Sequence, residues 1–153
     1  MRASNFPNTL ILNYWDSQKI LNNQSGSILD KFDINQYQYI VGPHLINQNH
    51  WIAIIIDVEL KHFYSLDPLK YRTNLLEQHF DNWIQFCSRL GKSDFWKQMT
   101  IDHPIQTDSY NCGIFVMIFI ANYINTGKIE FDSDSFNMNK FRHLIADKIK
   151  NFA

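Results

Sequence analysis

Two cysteines in 153 residues leave no material for a disulfide framework, and no Cys-x-x-Cys or His-x3-His pair joins the six histidines to mark a zinc site. No cofactor is expected. Long apolar runs are scarce too. The longest, Gly113 to Ala121, falls well short of the roughly 18 residues that mark a membrane span. The opening MRASNFPNTLILNYW lacks the basic start and apolar core of a secretion signal, so a reducing nuclear or cytoplasmic setting is expected. Five glycines and four prolines form no linker, and there is no repeat or low-complexity tract, so a single domain over residues 1–153 is expected. Fourteen basic against fifteen acidic residues give a net charge of −1 with no block of either sign. That balance argues against a nucleic-acid-coating chain and leaves partners to be recognised by shape and local contacts.

What the chain has is material for a core, with 45% hydrophobic and 15% aromatic residues. Pro7 to Ile20 reads as a first helix with Leu10, Tyr14 and Trp15 inward, and NNQSGS after it as a loop. Three strand-like runs follow: YQYIVG, then the β-branched WIAIIIDV (Trp51 to Val58), then HFYSLD (His62 to Asp67) beyond an ELK turn. Leu76, Phe80, Trp83, Cys87 and Leu90 recur every three or four positions between Asn74, a candidate N-cap, and Gly91, a candidate C-cap. FWKQMTI reads as another strand. Gly113 to Asn125 is apolar nearly all round, which predicts a helix buried on all sides and stopped by Gly127. A last helix, Asn139 to Asn151, gathers Phe141, Leu144, Ile145, Lys148 and Phe152 near one face. Helices and strands without strict alternation give an α+β class.

The chemistry concentrates in QTDSYNCGIFVMIFIANYI, Gln106 to Ile124, where a thiol opens an apolar helix. A buried structural cysteine is the plain reading of such a residue. A helix N-terminus, however, also stabilises a thiolate, which makes Cys112 a candidate nucleophile. If WIAIIIDV and HFYSLD form an antiparallel hairpin, His50 before the first and Asp67 ending the second meet at one sheet edge. His50 could then take the thiol proton and Asp67 orient the ring. Gln106, six residues before Cys112, could donate to a developing oxyanion together with the Cys112 backbone N–H. Taken singly, Asp67 reads as a turn residue, His50 as a strand-end histidine and Gln106 as merely polar. Cys87 reads as core, and His44, His62, His79, His103 and His143 as surface or edge residues, His103 being the alternative partner for Cys112.

His-Trp before an apolar strand, an Asp seventeen residues after the His, and Gln-x5-Cys-Gly entering an apolar helix resemble the SUMO-specific proteases. More broadly these are the ubiquitin-like-protein proteases, related to the adenovirus endopeptidase, with the chain order His, Asp, Cys. The resemblance spans Tyr39 to Asn125. It implies a papain-like fold of that type, a mixed central sheet flanked by helices, and Cys112 as nucleophile at a buried helix's N-terminus. It likewise implies His50 as base and acid, Asp67 as orienter and Gln106 as oxyanion amide. Trp51 would roof a narrow tunnel for a Gly-Gly tail and Gly113 would be a second substrate-binding residue, although a core role for Trp51 stays open. The implied reaction is cleavage after the Gly-Gly of a ubiquitin-like modifier, SUMO first and NEDD8 or ubiquitin behind it. A monomer is expected, with no nucleic acid or membrane partner. Relative to the family the N-terminal part is shortened. That leaves as alternatives a catalytically weak member that binds its partner, or an acetyltransferase using the same His-acid-Cys set.

Overall fold

The computed structural model describes residues 7–31, 33–70, 73–92 and 95–152. Among these residues a five-stranded sheet runs in the order β1-β2-β3-β4-β5, formed by Thr9–Ile11, Tyr39–Ile46, His50–Asp57, His62–Leu66 and Lys97–Gln98. The outer strands β1 and β5 pair parallel with their neighbours, while β2, β3 and β4 are antiparallel, so the sheet is mixed. Helices α1 (Tyr14–Leu21), α2 (Thr73–Arg89), α3 (Cys112–Thr126) and α4 (Ser135–Phe152) accompany it. Strands and helices in this order give an α+β architecture, as the sequence predicts.

The β3 run is continuously apolar because both of its faces are covered. Ile52, Ile54 and Ile56 pack with Ile20 and Leu21 of α1 and Trp83 and Phe86 of α2. Ala53 and Ile55 alternate to the other face, against Phe115 and Phe119 of α3 and Met138 of α4. Each fully buried isoleucine contributes about 1.5–3 kcal/mol, so truncating Ile54 to alanine would cost roughly 2–5 kcal/mol. The β2–β3 connection is tight: Asn47 and Gln48 both adopt positive φ, and the Asn49 N–H donates to the Ile46 carbonyl at 3.2 Å. That turn delivers His50 to the sheet edge.

The predicted first helix divides. Thr9–Ile11 joins the sheet beside β2, and the helix begins only at Tyr14, where the Asn13 side chain accepts from the Asp16 N–H at 2.9 Å. Gly42 makes the junction possible, since a Cβ there would lie 2.8 Å from Leu12 Cβ. Trp15 is 69% exposed rather than inward, standing edge-on to Tyr14. Helix α2 starts one residue before Asn74, which lies in its first turn. It ends at Arg89, and Gly91, with φ +69, closes it as predicted: Gly91 N–H donates to Ser88 O and Lys92 N–H to Cys87 O. FWKQMTI shrinks to the two residues of β5. In α4, Met138, Phe141 and Ile145 turn toward the protein while Leu144 is exposed, and the Phe152 side chain lies outside the described residues.

Helix α3 is not buried on all sides. Met117 is 49% exposed, and with Gly113, Ile120 and Ile124 it walls an apolar groove of about 580 Å³ closed on the other side by Ile11, Pro43 and Trp51. All-round hydrophobicity registers that a face is apolar. It does not register whether the protein's own chain covers that face.

Candidate active site

Asp67 follows β4 directly and is 2% exposed. Because Ala53 pairs with Leu66, the start of β3 and the end of β4 lie side by side. His50 Nε2–H donates to Asp67 Oδ1 at 2.6 Å, and the Leu69 N–H donates to the same oxygen at 2.8 Å. The His50 side chain keeps 14% of its surface open. With Nε2 committed to the carboxylate, Nδ1 is the ring nitrogen that does not face it.

Cys112 is the first residue of α3. Its predecessor Asn111 holds the N-cap position, yet its side chain makes no cap hydrogen bond, so the first N–H groups of the helix receive nothing from it. The segment before it is fastened to the acid, for the Gln106 N–H donates to Pro68 O at 2.8 Å, next to Asp67. The Gln106 side chain is 3% exposed, with Nε2 donating to the Asp108 carbonyl at 2.8 Å and to Asp108 Oδ1 at 3.1 Å. Gln106 Oε1 is buried without a hydrogen-bond partner. Sequence reasoning passed over Asp108; the Asp-x-x-Asn spacing to Asn111 was the available signal.

Trp51 and Gly113 adjoin. A Cβ added to Gly113 would stand 3.9 Å from Trp51 Cδ1, and both residues line the apolar groove along α3. Tyr14 meets Trp51 edge-on, ring centroids 6.0 Å apart. His103 packs on the Phe119 ring at 4.5 Å, two turns into α3, and shares a cavity with Asp67. Cys87 is enclosed in the core face of α2.

Two of the histidines read as surface residues are buried. His44 on β2 and His79 on α2 are 2% and 3% exposed and stand edge-to-face at 4.8 Å. Gln18 Nε2 donates to His44 Nδ1 at 3.2 Å, and His79 Nδ1 shares a 3.0 Å hydrogen bond with Ser65 Oγ. Both positions carried a signal: His44 alternates with Ile40 and Ile46, and His79 lies four residues before Trp83. Among the described residues no cluster of three His, Cys, Asp or Glu side chains could hold a metal, and no helix is long and apolar enough to cross a membrane.

Residues 4–152 match the model of the Ulp1 protease family, C-terminal catalytic domain. The chain belongs to the Ulp1 protease family. Over 121 residues, 75% of its length, it is 26% identical to the ubiquitin-like-specific protease 1 of Saccharomyces cerevisiae, and it spans only 20% of that protein. Among solved structures, SUMO protease Ulp1 with its catalytic cysteine oxidised to a sulfenic acid superposes with a TM-score of 0.73 at 22% identity, covering 92% of this chain and 68% of that one. The Ulp1 protease domain in complex with Smt3, the yeast ortholog of SUMO, superposes at 0.68 and 22% identity, covering 93% and 67%. At that identity the likeness establishes the Ulp1-type fold.

Proposed function

We propose that this member of the Ulp1 protease family is a cysteine peptidase that cleaves after the C-terminal Gly-Gly of a ubiquitin-like modifier, SUMO in the first place. The observation that carries the reading is the 2.6 Å contact of His50 Nε2 with the buried Asp67, at a sheet edge fastened to the segment that leads into Cys112. In this reading His50 Nδ1 takes the proton of the Cys112 thiol, and the sulfur attacks the carbonyl carbon of the last glycine. The carbonyl oxygen becomes an oxyanion, met by the Cys112 backbone N–H and by one Gln106 Nε2–H that exchanges its Asp108 contact for the substrate oxygen. His50 returns the proton to the leaving nitrogen as the C–N bond breaks, leaving a thioester. Water, deprotonated by His50, then attacks the thioester and releases the glycine carboxylate and the thiol. The nitrogen can be a lysine Nζ or the backbone of a linear extension.

The apolar groove beside Trp51 and Gly113 supports a tail without side chains, because a glycine backbone can run close to an aromatic wall where a larger residue would clash. The complex of the related Ulp1 domain with Smt3 supports SUMO as the first modifier to try, and a single-domain monomer acting in the nucleus or cytoplasm completes the proposal. Ubiquitin, SUMO and NEDD8, each bearing a thiol-reactive group in place of the terminal carboxylate, test it against wild type and Cys112→Ala by intact mass. A SUMO adduct on the wild type alone is the expected result. No adduct with any modifier, while a small alkylator still labels Cys112, would overturn it.

A further inference from the structure

A hydrogen-bond chain runs from α4 to the mouth of α3. Arg142 Nε donates to Asn111 Oδ1 at 2.8 Å and its Nη2 to the Tyr110 carbonyl at 3.0 Å, the guanidinium lying 5.5 Å from the centre of the Tyr110 ring. Asn111 Nδ2 donates to Asp108 Oδ2 at 2.7 Å. Asp108 Oδ1 accepts from the N–H groups of Tyr110 and Asn111 at 2.9 and 2.8 Å, and from Gln106 Nε2 at 3.1 Å. Arginine only donates and a carboxylate only accepts, so the Asn111 amide between them has one permitted orientation. Asparagine at an N-cap ordinarily turns its side chain onto the helix's own N–H groups. Here it turns away to Asp108 and Arg142, which leaves that end of the helix without a side-chain cap.

The segment from Gln106 to Asn111 has neither helix nor strand, so these contacts and the Gln106 link to Pro68 set its shape. Partial burial works against the Asp108 carboxylate, yet the backbone N–H of Tyr110 and the Asn111 donors outweigh it and hold the group below the usual carboxylate range. We propose that Arg142, acting through Asn111 and Asp108, is a positioning residue that sets the Gln106 amide and the Cys112 backbone N–H at the spacing a tetrahedral oxyanion requires. The inference rests on the peptidase reading above. It places the effect on acyl transfer and not on the thiol, and displacements well under 1 Å matter to such donors.

The test uses a SUMO-derived glycine-tailed substrate, together with iodoacetamide as a probe that develops no oxyanion. Arg142→Ala is expected to lower kcat about tenfold or more, with KM and the rate of Cys112 alkylation within about twofold of wild type. Arg142→Lys, which keeps the charge but donates from one point, is expected to fall between them. Asn111→Asp sets two carboxylates face to face and is expected to lose kcat. Adding Asp108→Asn restores a donor opposite the new acid and is expected to recover it. An unchanged kcat in Arg142→Ala, kcat and alkylation falling together, or no recovery in the double variant would each overturn the inference. A wild type that cleaves no glycine-tailed conjugate would remove the functional reading as well, which separates the two failures.

Discussion

Two pairs that each contain a sheet histidine, His50–Asp67 and His44–His79, differ in partner and in access to water. His50 opens β3 and donates to Asp67 with part of its ring open to solvent; two residues on, Ile52 pairs with His44, which lies against His79 beneath the sheet. The edge pair couples imidazole to a carboxylate, which in the proposed reaction would stabilise the ring protonated by the Cys112 thiol. The buried pair has a glutamine amide and a serine hydroxyl as partners, and neither compensates a positive charge. Burial, and for His44 also the neighbouring His79, pushes His44 down to about 3, and burial pushes His79 down to about 4. An imidazole becomes chemistry or packing according to its partner and its access to water.

Substitution at the two sites should therefore cross over. His50→Ala is expected to lower turnover at least about 10³-fold, and Asp67→Asn roughly 10³–10⁴-fold, with a thermal midpoint near that of wild type. His79→Ala is expected to leave kcat per folded molecule intact while costing roughly 2–4 kcal/mol in denaturant unfolding, since it opens a cavity and strands Ser65 Oγ. Equal loss of activity at both sites would erase the distinction between them.

Acid sharpens the contrast. The folded pKa values of His44 and His79 lie below that of an unfolded imidazole near 6.5. Between about pH 4 and 6.5 the unfolded chain thus binds more protons than the fold. Stability from this pair is complete above pH 6.5 and declines as pH falls, by up to about 1.4 kcal/mol per histidine per pH unit. Urea unfolding at pH 7.5, 6.0 and 5.0 measures it, and the double variant His44→Gln, His79→Gln should flatten the slope. An unchanged slope in that variant would assign the acid sensitivity elsewhere. The smallest effect belongs to Ser65→Ala, expected to cost about 1–2 kcal/mol through the lost partner of His79, with turnover untouched. Unfolding midpoints paired with kcat check both halves.

The His50–Asp67 meeting was legible because a hairpin's register is short-range: a strand, a four-residue turn and a returning strand bring their ends together by alternation alone. The Gly91 stop of α2 was legible for the same reason, since a left-handed residue after a helix is a local requirement. The first helix was misread because Leu10 and Ile11 satisfy a helical period as readily as a strand, and what decided was β2, some thirty residues on, offering its edge. The buried histidines were misread because the polarity of the ring outweighed the periodicity that placed both inward.

The sequence by itself determined which residues are candidates for the proposed chemistry: a thiol at the start of an apolar helix, an imidazole and a carboxylate at matched strand ends, and an amide six residues before the thiol. These follow from identity and near spacing, which backbone geometry converts directly into position. Only the tertiary structure decided what surrounds them. It set the open face of α3 as a groove, the neutral histidine pair under the sheet, and the tie from Arg142 on α4 to the loop before Cys112. Each of these joins residues distant in the chain, and such contacts are chosen by packing, not by local pattern.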